Sequence, residues 1–444
     1  MKLYPDSAYD PATPPSYWAT TAPEIIAANQ PLADDVSVGT AVIGGGFTGL
    51  NAALGLAEKG EDVAIFDASH PGWGASGRNG GFVCMGGTKQ DYSVLLQKFG
   101  EEETRAYINR QRGAIDHVAS ILERFNIDAD RHSDGEWLAA HRPSVFERMT
   151  PEVELEQSLG LPSTIYSRAE MAERGMAGPH FHGGVHLNLG FAVNPMKYLA
   201  GLVKAAQNAG ATIYSHSRVT KVTQGDRYSL TVNGHKVTAK RLIYAANGYA
   251  KDGFIDWMTG RFLPVLSSII VTRPLTDAEM KAQGWWAKQA TYDSRTMLHY
   301  FRLLPENRFM FGMRGGSSLS PRADAKLARL IRSDFEKLFP AWSHVETDYR
   351  WTGLLSLARD KAQYVGPLGD WPNAWTAHSY HGNGVAMGSY SGKLLADSAL
   401  GQIKPIDLPA IMRGPLRRFP AHWARMAYIK AYYLGWDISE ILRR

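Results

Sequence analysis

The sequence predicts a mixed α/β fold organised on a dinucleotide-binding strand–helix–strand unit, and three observations predict it. A short β-branched run, Val36 to Gly44, leads into the spacing G-x-G-x-x-G at Gly44, Gly46 and Gly49. Apolar residues at helical spacing follow, Leu50, Ala53, Leu54 and Ala57, with Gly60 placed as a C-terminal cap. A second apolar run, "EDVAIFDAS", then ends in Asp67, 21 residues after Gly46, close to the roughly 20 expected for a ribose-binding carboxylate.

Each part of the unit has a physical task. Gly44 permits the tight strand-to-helix turn, Gly46 lets backbone approach a pyrophosphate, and Gly49 lets helix and strand pack closely. Phe47 and Thr48 open the helix, where free N–H groups and the positive end of the helix dipole favour an anion. Asp67, with Ala68 beside it, is placed to accept from ribose hydroxyls and to repel a 2′-phosphate. The loop after the second strand, "HPGWGASGRNGGF", is rich in glycine. Its Gly74, Ala75, Ser76, Arg78, Asn79, Gly80 and Gly81 offer pliable backbone and donors to a cofactor extending past its pyrophosphate. That leans towards a flavin, because a nicotinamide-binding unit would continue into another helix–strand repeat; composition alone leaves both open.

The remaining composition narrows the class. The chain has 444 residues, 44% hydrophobic and 20% charged, which suits one or two globular domains. No run approaches the roughly 20 apolar residues of a membrane-spanning helix. The first 18 residues lack a signal-peptide core, so a cytoplasmic location is expected. Cys84 is the single cysteine, which excludes an intrachain disulfide and a multi-cysteine metal site; no metal is expected. The net charge of +5 comes without a dense Lys/Arg tract, so no nucleic-acid partner is expected.

Five stretches, "VIGGGFTGLNAALGLAEKG", "GASGRNGG", "LIYAANGY", "YRWTGLLSLARD" and "YHGNGVAMGSYSGKLLAD", resemble the D-amino-acid oxidase and sarcosine oxidase superfamily of FAD-dependent oxidoreductases. Within it the likeness is greatest to the gamma-glutamylputrescine oxidase-like branch, over residues 15 to 400. The resemblance implies a Rossmann-like FAD domain of the glutathione-reductase type, interleaved with an antiparallel-sheet substrate domain. The FAD domain is expected at 34–90, 185–250 and 345–400, the substrate domain at 91–184 and 251–344, and a helical aromatic tail at 401–444.

The resemblance also implies further cofactor contacts. Val219 matches the adenine-facing strand position, with an ordinary strand residue as the even alternative. Ala246, Asn247 and Gly248 match a small-residue turn near the pyrophosphate. Gly382, Asn383, Gly384 and Val385 match a turn and helix start facing the flavin ring, where the family pattern resembles Gly-His-Gly. Here Asn383 stands in the middle and His381 precedes the first glycine. Neither Cys84 nor His70 matches a tethering position, so non-covalent FAD is expected.

The chemistry implied is oxidation of a C–N bond in a small amine or amino acid. Hydride passes to flavin N5, the imine hydrolyses, and oxygen or an electron carrier takes the electrons. A dehydrogenase, a flavin-binding module without turnover and an RNA-modifying enzyme are the alternatives. Tyr300, Arg302, Trp351 and His381 are the candidate catalytic residues, and Arg302 or Arg314 the candidate partner for a substrate carboxylate, with a structural arginine and a core-packed Trp351 as equal alternatives. Locally, "YSVLLQKFGEEETRAYINRQRGAIDHVASILERF" reads as one amphipathic helical region, and three runs between 267 and 316 read as strands. Lys393 reads as a solvated helix charge.

Overall fold

The computed structural model describes residues 3–4, 6–9, 16–27, 30–316 and 318–431. Two eight-stranded sheets dominate it. In the first, the strands run Tyr364–Pro367, Ala374–His378, His235–Tyr244, Val36–Ile43, Val63–Phe66 and Thr212–Tyr214. All neighbours from Ala374–His378 to Thr212–Tyr214 are parallel. Such strands are covered on both faces, which is why Val63–Phe66 is buried at every position. Helices Phe47–Ala57, Pro195–Asn208 and Ala386–Ala399 share one apolar core with this sheet. A meander, Val219–Thr223 and Tyr228–Val232, extends it, and the hairpin at Asn233–Gly234 turns with both residues at positive φ.

The second sheet runs Thr347–Ala358, Phe262–Pro274, Arg308–Arg314, His299–Leu303, Ala290–Asp293, Glu136–Ala139, Gly183–Leu187 and Ser163–Ser167. Every pairing is antiparallel except that between Ala290–Asp293 and Glu136–Ala139. Helix Pro321–Leu338 lays Leu327, Ile331, Phe335 and Leu338 into an aromatic core with Phe301, Phe309, Phe311, Phe339 and Trp342.

Three expectations are corrected here. Thr347–Ala358 pairs with Phe262–Pro274 over most of its length, so the chain returns to the first sheet at Tyr364, later than 345. Gly183–Leu187 likewise belongs to the second sheet, across the expected boundary at 185. The long helical region spans Tyr92–Arg124 but is broken at Gly100, whose φ of 79° and ψ of 174° are not helical. In the tail, the short helix Ala410–Arg413 and a helical run at 425–431 are present, and residues 432–444 lie outside the described residues. Among the described residues no helix is long and apolar enough to cross a membrane.

Candidate active site

The ends of the parallel strands open on a cavity of about 630 Å³ bounded by both sheets. The strand Val36–Ile43 delivers Gly44 with φ +106°, where an added Cβ would stand 2.9 Å from the Ala245 carbonyl. At Gly46 a Cβ would reach 2.8 Å from Ser76 Oγ, and at Gly49 1.9 Å from the Gly44 carbonyl. Side chains are thus excluded where the helix Phe47–Ala57 begins. Ser76 Oγ accepts from the Phe47 N–H at 3.0 Å, so the "GASG" loop is tied to that helix start.

Asp67 lies at the end of Val63–Phe66 and lines the cavity. Its carboxylate accepts from the N–H of Gly45 at 2.7 Å and of Ser69 at 2.9 Å. Burial raises its pKa, against those two hydrogen bonds. Gly44, Gly46, Phe47, Thr48, Ala68, Gly74, Ala75, Ser76, Arg78, Asn79, Gly80, Val219, Ala246 and Asn247 also line the cavity. So do His381, Gly382, Asn383, Gly384 and Val385 at its other end. Residues more than 330 positions apart in sequence therefore share one space. Helix Ala386–Ala399 starts directly behind Val385, bringing a positive helix end to this turn.

Gly49, Gly81 and Gly248 do not line the cavity; they serve close packing. A Cβ at Gly81 would meet the Val193 carbonyl at 2.1 Å, and one at Gly248 the Leu354 carbonyl at 2.8 Å. Asn79 is engaged by its own loop: its amide donates to the carbonyls of Ala75 and Ser76 and accepts from the Gly81 N–H. Arg78 Nε donates to the Trp73 carbonyl at 2.8 Å.

Two expected catalytic residues lie elsewhere. Arg302 is fully buried beside the cavity rather than in it, donating to the Val193 carbonyl at 2.7 Å and to His132 Nε2 at 2.8 Å. Trp351 is core, its indole donating to the Arg78 carbonyl at 3.0 Å. Trp18 packs against both, its ring 5.4 Å from the Arg302 guanidinium carbon and edge-on to Trp351 at 6.4 Å. Cys84 is buried, as a small apolar residue should be. Lys393 pairs with Asp397 one turn along its helix.

Tyr300 and Arg314 do line the cavity. Tyr300 shares a 2.8 Å hydrogen bond with Ser267, and burial holds its phenol up to about 12, so it stays protonated. Arg314 donates to the His381 carbonyl at 3.0 Å. His381 adopts φ +54° and accepts from the Ala358 N–H through Nε2. Burial, then the charge of Lys89, pushes it down to about 3, so it is a neutral structural imidazole. Asn383 reaches back to the Met85 carbonyl at 2.7 Å and to Cys84 Sγ at 3.1 Å, and a Cβ at Gly86 would strike it at 2.2 Å. The middle residue of the turn therefore fastens the early loop Phe82–Lys89 across the site.

That loop brings residues that motif reading passes over. Lys89 is exposed towards the cavity, and desolvation by the surrounding protein, with Arg314 nearby, lowers its ammonium to about 7. Glu136, at the start of its strand, is buried and lines the cavity; burial raises its carboxyl to about 7. Glu152, Glu156, Tyr92 and Tyr292 line the same arm. Only the strand alternation of "GEWLAA" hinted that Glu136 and Trp137 face opposite ways.

A parallel sheet with a glycine turn, a carboxylate at the next strand end and a distant loop closing one cavity defines a dinucleotide-dependent oxidoreductase. The chain belongs to the DAO family, described as FAD dependent oxidoreductase, whose pattern matches residues 40–398. It is 28% identical over 393 residues to gamma-glutamylputrescine oxidoreductase of Escherichia coli (strain K12), covering 88% of this chain and 90% of that one. It is 29% identical over 373 residues to the probable oxidoreductase OrdL of Rhizobium meliloti (strain 1021), covering 83% and 84%. The crystal structure of glycine oxidase from Geobacillus kaustophilus shares the fold, with TM-score 0.69 and 18% identity, covering 82% of this chain and 95% of that one. The Cβ-free cradle at Gly44–Gly46 and the carboxylate of Asp67 fit the FAD that the family uses.

Proposed function

We propose that this enzyme holds FAD without a covalent tether and oxidises the C–N bond of an amine or amino acid. One observation carries the reading: a single cavity joins the glycine turn and Asp67 to the turn at Gly382–Val385, and continues into a polar arm with Tyr300, Arg314, Lys89 and Glu136. Asp67 takes the ribose hydroxyls, Val219 the adenine side, the Gly44–Thr48 turn with Ser76 the pyrophosphate, and Gly382–Val385 the ring. When bound, FAD supplies a two-electron acceptor for the hydride on the carbon next to nitrogen. Burial keeps the Cys84 thiol protonated, and His70 does not line the cavity, which supports non-covalent binding.

The chain's own residues position and exclude. Lys89 and Arg314 put positive charge beside the ring-facing turn, which favours a reacting amine in its neutral form. Tyr300 offers a fixed hydroxyl donor, oriented by Ser267. The gamma-glutamylputrescine oxidoreductase and glycine oxidase likenesses support an amine-type substrate. Oxygen is the proposed final acceptor.

The test is direct. The purified protein should show a flavin spectrum released by denaturation, and one of a panel of amines, polyamines and amino acids should bleach it anaerobically. Peroxide on readmitting air identifies an oxidase; its absence with slow reoxidation identifies a dehydrogenase. Failure of FAD to bind, or of every amine and amino acid to bleach it, overturns the reading.

A further inference from the structure

The end of the chain differs in charge from the rest. From Leu408 to Trp436 there is no Asp or Glu, while Arg413, Arg417, Arg418, Arg425 and Lys430 all fall within it. Acids elsewhere answer three of these cations. Arg425 pairs with buried Asp252 at 2.6 Å, Arg413 with Glu103 at 3.7 Å, and the charge of Arg417 acts on Asp360. Arg418 and Lys430 are exposed, and among the described residues neither forms an ion pair with a carboxylate. Arg359, also exposed, joins them by donating to the Arg418 carbonyl at 3.2 Å.

Between these cations stand two large rings. Trp423 is 66% exposed and Tyr428 49%, both within one short helical stretch. The inner side of that stretch is pinned: Arg425 and Ile429, one turn apart, are buried, and Ile429 clusters with Leu263 and Val265. The rings are therefore held towards solvent. One exposed aromatic needs no explanation, but two beside unpaired cations in a stretch without acids mark a contact surface. A second copy of this surface would set like charges together. A nucleic acid is held mainly through phosphates, which calls for more cations than Arg359, Arg418 and Lys430 supply. An anionic bilayer suits both halves of the patch. Trp and Tyr rings seat at headgroup level, and each cation near the leaflet strengthens binding roughly fivefold.

We propose that the surface formed by Arg418, Trp423, Tyr428 and Lys430, with Arg359 beside it, docks the enzyme on an anionic lipid bilayer as a peripheral contact. The two rings enter the interface and the cations meet lipid phosphates, while Arg425–Asp252 and Ile429 hold the surface to the body. The patch adjoins the cavity. Gln90 donates to the Asp360 carbonyl at 2.7 Å and the Lys89 N–H to the Lys361 carbonyl at 2.9 Å, and both Lys89 and Gln90 line the cavity. Docking thus sets the reaction space one loop away from the lipid surface. Nothing in the contact depends on which amine is oxidised.

The test sediments FAD-loaded full-length protein with phosphatidylcholine vesicles that contain or lack phosphatidylglycerol. The expected result is capture by the anionic vesicles alone, weakened by added salt as the attraction is screened. Replacing both unpaired cations, in the double variant Arg418→Gln with Lys430→Gln, should weaken binding by about tenfold or more. Trp423→Ala should weaken it by about threefold or more even at low salt, since interfacial binding scales with buried apolar area. All three side chains are exposed, so the melting temperature and flavin content of these variants should match the parent. No capture by anionic vesicles, equal capture by neutral ones, or unchanged capture in either variant would overturn the proposal. So would binding of an RNA homopolymer in place of vesicles. A concentration-dependent dimer lost in Trp423→Ala, without vesicle binding, would overturn it in favour of self-association.

Discussion

Asp67 shows how one side chain shapes a glycine turn. Its two oxygens already receive the N–H groups of Gly45 and Ser69, so the carboxylate shapes the glycine turn before any ligand arrives. Asp67→Ala should therefore weaken FAD binding roughly 10- to 100-fold, by removing a charged acceptor and orphaning two donors. Flavin fluorescence titration measures it, and unchanged affinity would contradict the assignment. The place of Asp67 at the strand end beside the glycine turn was readable from its spacing to Gly46. Lys89, Glu136 and Glu156 were not, because no local pattern separates a cavity charge from a surface one. Arg302 misled for the opposite reason. Its place on a strand two residues from Tyr300 put both on one face, but only the fold shows that Tyr300 lines the cavity while Arg302 packs against Trp18.

Among elements, the parallel strands and the two helices that meet at the candidate cofactor site were legible from β-branched runs, helical spacing and glycine. At Gly392 a Cβ would lie 2.3 Å from the Thr48 carbonyl, so helices Phe47–Ala57 and Ala386–Ala399 meet almost backbone to backbone. Tyr380 and Thr48 share a hydrogen bond of 2.7 Å across the same contact. The break at Gly100 was hidden, because helical periodicity continues on both sides of it. Between the second sheet and helix Pro321–Leu338, His299 is clamped by Asp293 at 2.7 Å and Asp334 at 3.3 Å. Burial opposes its charge, but the two carboxylates prevail and raise it to about 9. Its folded value lies above its unfolded one, so its stabilisation is complete below pH 6.5 and lost as pH rises through 9. Stability from this group should fall by about 3 kcal/mol over that window. Denaturant unfolding at pH 6 and pH 9 checks it, and His299→Gln should lose most of the difference.

For the molecule as a whole, the tail up to residue 431 docks on its own body. Arg425 and Asp252 form a buried pair at 2.6 Å, and Ile429 packs on Leu263 and Val265. Arg425→Ala would leave Asp252 charged and buried, and should cost about 3–5 kcal/mol. A melting temperature within a degree of the parent protein would refute that. The interleaving of the two sheets was not legible locally, because the strand order that joins segments so far apart is set by long-range pairing. The expected return at 345 came early because "YRWTG" reads as a boundary, while its strand is still paired to Phe262–Pro274. The same interleaving bears on biosynthesis. His235–Tyr244 pairs beside Val36–Ile43, and the ring-facing turn at Gly382–Val385 comes later still. A nascent chain stalled before Ala374 should retain no flavin, whereas one released after Leu416 should. The glycine cradle should thus leave the ribosome empty, with cofactor loading waiting on the segment that carries Gly382–Val385.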